Sequence, residues 1–387
     1  MREGRQTSNA FVLLIAALAA AGCAGTLKPG DPVRGLTRAQ RDSFAQGQAL
    51  FVRVFTPETG LGPLFNAVGC GECHEEPVAG GFGDEVEQHA AAFRADQVCD
   101  PLVEQGGFVI QAHATPALKA ALGIDSEPVP ADATATARRT TPVVFGRGFL
   151  DLVPDAEILS RADPDDRNHD GISGRPNRFV DGRLGRFGRK ALVPTLREFN
   201  EGAYIAEQGI TTPGVPTEET IGGKPIPDGV DPVPEPEINR GAVDLTNAFV
   251  RFLAVPSPLK LSGEAGRGRD QFERIGCTAC HIPTLRTGDS PIAALNHKEV
   301  AAFSDLLLHD MGPELADICL GLAQPSEFRT EPLIGVRLRK DFLHDGRATT
   351  LPQAIQLHGG EGAASRDRFQ RLTPAEQVAV IAYLKTL

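Results

Sequence analysis

Cys70-Gly71-Glu72-Cys73-His74 and Cys277-Thr278-Ala279-Cys280-His281 decide the reading of this chain. In a Cys-x-x-Cys-His unit the two thiols form thioethers to the vinyl groups of a haem, and the adjacent histidine supplies the proximal nitrogen to iron. Cys70, Cys73, Cys277 and Cys280 are therefore the expected attachment points of two covalently bound haems c, with His74 and His281 as proximal ligands. Cys-x-x-Cys pairs also bind zinc or exchange disulfides. The histidine directly after each pair, and the presence of the whole unit twice, favour haem over both.

The sequence around the two motifs repeats as well. Gly47 and Phe51 precede the first, and Gly268 and Phe272 the second, each pair four apart on a predicted helix and so on one helix face. The small residue permits close helix contact while the phenyl ring fills apolar volume. Each unit then ends in an amphipathic helix. Thr373-Pro374-Ala375-Glu376 combines an N-cap, a proline at the first helical position and a capping-box glutamate. Val243, Leu245, Phe249, Phe252 and Leu253 mark the corresponding helix of the first half, and Pro256-Ser257-Pro258 breaks it. The expected fold is mainly α, with two cytochrome c-like haem domains over 37–256 and 257–387, long loops and a large insertion in the first. Most of that insertion is the Pro- and Gly-rich stretch 212–237, which reads as an extended surface excursion. Strand signals are scarce and short.

Composition bounds the function. The 387 residues are 41% hydrophobic, enough for a substantial core, and the formal charge is −11. No basic stripe is present to neutralise phosphates, which excludes a nucleic-acid partner and suits a cationic protein. Arg2 and Arg5, an apolar run over 11–21 and then Gly22-Cys23 have the order of a signal peptide, expected over 1–22. The run is too short to span a bilayer comfortably. Ala20-Ala21-Gly22-Cys23 resembles a bacterial lipoprotein processing site, so the expected location is the periplasm, with attachment to a membrane through a lipidated Cys23. Soluble periplasmic secretion is the alternative. Of seven cysteines, Cys99 and Cys319 are then left over; an oxidising compartment permits a bridge between them, and two separate buried thiols are equally open.

The sixth iron position decides function, because a strong distal ligand makes an electron-transfer haem and an open one admits a small molecule. Candidates are His89, His113, His169, His297, His309, His344, His358 and Met311. His358 follows Leu351, Ala354 and Ile355 at helical spacing, and Gly359-Gly360 behind it reads as the end of that helix, leaving room for a porphyrin. Asp166, Asn168, Asp170 and Gly171 reproduce the opening of a calcium loop, with Asn177 where the twelfth-position acid would stand. Calcium and an Asp-rich turn are both open there.

Further stretches carry a family resemblance over nearly all of the mature chain. They include Leu61-Gly62-Pro63-Leu64-Phe65-Asn66-Ala67, Arg139-Thr140-Thr141-Pro142, Asp170-Gly171-Ile172-Ser173-Gly174-Arg175 and Leu184-Gly185-Arg186-Phe187-Gly188. Leu308-His309-Asp310-Met311-Gly312, Phe328-Arg329-Thr330 and Leu343-His344-Asp345-Gly346-Arg347 continue the series. The chain resembles the bacterial di-haem cytochrome c peroxidases and, more closely, the di-haem oxidoreductases often labelled thiol oxidoreductases. The resemblance implies a C-terminal haem that takes electrons from a small redox protein, and an N-terminal haem that passes them to a small oxidant such as hydrogen peroxide. A non-enzymatic di-haem electron-transfer protein is the alternative. It also implies His358 at the place of the peroxidases' distal methionine, a change that lowers the haem potential. His89 lies near their displaceable distal histidine, with His113 as runner-up, and His309 and Met311 are further candidates near a haem. The family's Gly-Arg-Phe-Gly is usually followed by Trp, and this chain has Arg189 there and no tryptophan at all. An inter-haem relay built on Trp is thereby excluded.

Overall fold

Thr37 starts the first helix, α1 (Arg38–Phe51), through a capping box in which its side chain accepts from Gln40 N and Gln40 Oε1 accepts from Thr37 N. The structure, a computed structural model, describes residues 25–96 and 98–387. The expected signal peptide and Cys23 lie outside the described residues. Phe44, Gly47 and Phe51 form the buried face of α1. That face packs on a later helix capped by Asn239 (Arg240–Phe252), with Phe249 4.8 Å from Phe51 and 5.1 Å from Phe44 between ring centroids. A Cβ on Gly47 would collide with the Leu245 carbonyl, so only glycine lets these backbones touch.

The device recurs in the second half. The helix Gly263–Arg274, capped by Ser262, packs on Pro374–Leu384, whose start is the expected Thr373–Glu376 capping box. Here a Cβ on Gly268 would strike the Ala379 carbonyl, and Phe272 meets Tyr383 edge-on at 5.6 Å. Each half keeps its own apolar cluster, one around Phe55, Tyr204 and Val243 and one around Phe272, Phe303 and Tyr383. The largest cluster crosses the expected boundary near 256, joining Phe44, Phe145 and Phe249 to Leu285, Leu295, Leu307 and Ile334. The two halves therefore share one continuous core.

The expectation of a mainly α chain with few strands is corrected in part. Helix makes up 31% and strand 14% of the structure, and much of the strand lies in one sheet inside the first half. Its central strand β1 (Val86–Phe93) pairs antiparallel with Ala135–Thr140 from Val86↔Thr140 to Ala91↔Ala135. Short strands Cys99–Asp100 and Val109–Ile110 also pair with it. Ala90, Ala91 and Ala92 are all but completely buried on β1. Alanine has little β-propensity and the stretch does not alternate, so this strand is specified by its partners and not by its own residues. The 212–237 stretch is only partly an excursion: Ile221, Ile226 and Val230 pack on Leu64 and Leu118.

Cys99 and Cys319 are disulfide-bonded, with Cα atoms 5.7 Å apart and a sequence separation of 220. The bridge ties the sheet of the first half to a loop of the second, beside Ala91, Ala137 and Ile318. Removing it frees a very long loop in the unfolded chain. Replacing both cysteines by alanine should lower stability by about 2–5 kcal/mol, read as a lower guanidinium midpoint for the oxidised protein. Identical midpoints for wild type with and without reductant would contradict this.

Candidate functional site

Cys70–Cys73 form one helical turn with Cys73 buried, and Gly69 lets that turn lie against the Arg53 carbonyl at the end of α1. All four motif thiols are unbridged. Burial pushes Cys70 up to about 11 and Cys277 up to about 12, so these thiols stay neutral. A redox-active dithiol or zinc thiolate needs the opposite, an environment that lowers the thiol pKa. The thioether reading has no such requirement.

The two motif histidines are held alike. His74 Nδ1–H donates to Gly81 O at 3.0 Å and His281 Nδ1–H to Phe303 O at 2.9 Å. A carbonyl can only accept, so the proton sits on Nδ1 and the Nε2 lone pair is left for a metal. Burial keeps both rings neutral, taking His281 down to about 4 with help from the neighbouring His358 and His309. Each ring also lies near the buried phenylalanine of its preceding helix, His74 by Phe51 at 5.9 Å and His281 by Phe272 at 6.4 Å. This donor set fits a haem iron at each motif.

Among the described residues His358 repeats this pattern. Its Nδ1–H donates to Ala354 O at 2.7 Å, again leaving Nε2 bare, and it lies two residues beyond the short helix Leu351–Gln356. Gly359 and Gly360 serve a different purpose from the one expected: a Cβ on either would crowd the backbone at Asp310 and Met311. Met311 comes to the same place. A Cβ placed on Gly362 would lie 3.3 Å from the His358 ring and 3.4 Å from Met311 Cε. Separated by 46 intervening residues, the two candidates are neighbours in space.

His309 is corrected as a ligand candidate. Its Nδ1–H donates to Glu361 Oε2 at 2.7 Å and its Nε2–H to Asp305 Oδ2 at 2.9 Å. Both nitrogens carry protons; these bonds raise its pKa well above the usual value despite burial, and no lone pair remains for iron. It sits against Cys280 Sγ at 3.7 Å, bracing the second motif instead.

At the first motif the arrangement differs. His89, the candidate for a displaceable distal ligand, is on strand β1, and its Nε2–H donates to Glu87 Oε2 at 3.0 Å. Burial raises the Glu87 carboxyl, but the hydrogen bond and charge of His89, with His74 and Arg189 nearby, hold it below the usual range. Glu207 behaves oppositely. Burial drives it well above the usual range, Glu87 adds to the rise, and Asn66 Nδ2–H donates to its Oε2 at 3.0 Å. An ionised and a protonated carboxyl thus stand within electrostatic reach of Cys73. No motif marks either glutamate, and 119 residues separate them. His113 is exposed, and with Asn66 and Glu72 it lines an open cleft of about 520 Å³.

The calcium-loop residues are engaged locally. Asp166 Oδ1 accepts from Gly171 N, Asn168 Oδ1 from Asp170 N and Asp170 Oδ1 from Ile172 N, the ladder of an Asx turn. Asn177 is turned inward, donating to Lys190 O and Leu320 O.

Residues 117–387 match the model of the family described as "Di-haem oxidoreductase, putative peroxidase". No curated protein matches the sequence significantly. Among solved structures, the di-haem peroxidase BthA from Burkholderia thailandensis is 14% identical, with 94% of this chain and 95% of that one covered and a TM-score of 0.43. A MauG-like protein associated with microbial copper homeostasis is 16% identical over 94% of this chain and 92% of its own, with a TM-score of 0.43. Hydrazine synthase from Kuenenia stuttgartiensis is 14% identical over 99% and 100%, with a TM-score of 0.42.

Proposed function

Because the chain belongs to the di-haem oxidoreductase family, whose members are peroxidase-like, we propose that it is an exported enzyme reducing a small oxidant such as hydrogen peroxide. Cys70 and Cys73 with His74, and Cys277 and Cys280 with His281, hold its two haems c. When bound, the haems store electrons one at a time and offer an iron at which the oxidant is reduced. Electrons come from a small redox protein to the C-terminal haem, and a cationic donor would suit the charge of −11.

The observation that carries this reading is the difference between the two centres. His358, with a bare Nε2, lies close enough to His281 to depress its pKa electrostatically. His89 at the first centre is tied through Nε2 to Glu87. His281 and His358 would thus offer two imidazole nitrogens to an iron at the second motif, whereas at the first His74 would offer one and Glu87 would place a carboxylate beside it. Glu87, ionised, accepts a proton from an incoming peroxide, and the hydrogen bond from His89 orients it. Full reduction consumes two electrons and two protons per peroxide and yields two waters. The Cys99–Cys319 bridge supports export, since such bonds persist in oxidising compartments. Export with a lipid on Cys23 accords with this and is checked by the mass of the mature N-terminus.

Optical spectra with and without cyanide or peroxide test the function. One haem should be perturbed by either ligand and the other should stay low-spin. Glu87→Gln should keep both haems while slowing the peroxide reaction by about 10²-fold or more. Two low-spin haems inert to both ligands would make the protein an electron carrier instead.

A further inference from the structure

Four guanidinium groups crowd around one carboxylate in the interior between the halves. Glu331, its side chain 29% exposed, pairs with Arg147 at 3.2 Å, Arg189 at 3.1 Å and Arg329 at 2.5 Å, and the half-buried Arg339 bears on it electrostatically. The side chains of Arg147, Arg189 and Arg329 are only 8%, 11% and 4% exposed. Arginine does not shed its proton, so one carboxylate leaves the cluster with a large positive excess in a medium that punishes it. Two buried nitrogens of these side chains, Arg147 Nη1 and Arg329 Nε, have no hydrogen-bond partner. Arg339 Nε donates to the Asp341 carbonyl at 3.0 Å, and the carboxylates of Glu87 and Asp341 act on Arg189 and Arg339 only through space.

The cluster also lies beside the first motif. Arg147 donates through Nε and Nη2 to Val143 O, and Arg189 Nη2 donates to Thr140 O. Val144, next to that Val143 carbonyl, donates through its N–H to Gly80 O at 2.9 Å, and Gly80 N–H in turn donates to His74 O at 2.9 Å. Carboxylates are the partners that buried, forked guanidinium groups match best. A haem carries two of them.

Resting on the di-haem reading above, we propose that Arg147, Arg189, Arg329 and Arg339 form the seat for the propionate carboxylates of the haem carried by Cys70 and Cys73. Arg189, which follows Gly185-Arg186-Phe187-Gly188, and Arg329, in Phe328-Arg329-Thr330, thereby acquire a role that the attachment motifs leave unassigned. The propionates would offset the excess positive charge of the cluster, and the guanidinium groups, by countering the propionate charge, would raise the potential of that haem by disfavouring the ferric state.

The test uses holoprotein whose haems carry carbon-13 at their carboxyls, with covalent haem counted first by mass. Redox-difference infrared spectra then isolate the labelled carboxylate bands. Arg147→Gln and Arg329→Gln should shift those bands and lower the potential of the first haem. Arg147→Lys and Arg329→Lys, which keep the charge but lose the fork, should shift the bands with a smaller change in potential; they give the same readout if the Gln variants do not accumulate. Labelled bands indifferent to every substitution, with both haems attached, would overturn the seat alone. Bands that stay fixed while added inorganic phosphate moves the potential would assign the cluster to a soluble anion and overturn it too. A wild-type mass without haem would remove the di-haem reading and this one together.

Discussion

Cys73→Ala, matured with a cytochrome c assembly system, should lose covalent haem at the first motif and keep it at the second; Cys280→Ala should do the reverse. Each motif lies in its own surroundings, one against the end of α1 and the other beyond the helix Gly263–Arg274, so the losses are independent. The thiols of both motifs are unbridged and so free to add to a haem vinyl group, and the bare Nε2 of His74 or His281 waits beside them. Intact-protein mass spectrometry reads the result as the mass of one haem fewer in each variant. A wild-type mass without haem adducts, or zinc at one equivalent per motif, would overturn the assignment.

Exchange of the second haem's distal ligand should have the largest effect on its chemistry. His358→Met should raise that haem's potential, since axial ligands span about 0.8 V among haem proteins and methionine lies on the high side of histidine. Met311→Leu should leave the low-spin spectrum nearly unchanged. The grounds are geometric: His358 spends Nδ1 on Ala354 O and keeps Nε2 free, the arrangement of both motif histidines. Met311 follows a strand, Leu308–Asp310, and reaches the same spot over Gly362 with a methyl group. A methionine signature that vanishes in Met311→Leu, with His358→Ala silent, would reverse the assignment.

Some of the site was legible because its chemistry is local. A helix-face glycine and phenylalanine before each motif, the Thr373 capping box and the short helix before His358 all follow from neighbours in sequence. That His89 sits on a strand was not legible, because β1 owes its conformation to the strand Ala135–Thr140, far along the chain. His309 looked like a ligand until Asp305 and Glu361 took both of its nitrogens. Glu361 is 52 residues away, and no local pattern announces such a partner.

The sequence by itself determined the two Cys-x-x-Cys-His motifs at which haem attachment is proposed, the histidine that closes each, and the glycine–phenylalanine helix face before each of them. Covalent motifs and helix faces involve residues a few positions apart, so composition and spacing suffice. Tertiary structure alone decided that Cys99 bonds to Cys319 across 220 residues, that Glu87 and Glu207 approach the first motif, and that Arg147, Arg189, Arg329 and Arg339 share one carboxylate. Those pairings depend on which distant backbones the common core presses together. The charge state of each buried group is set by that company and not by its own chemistry.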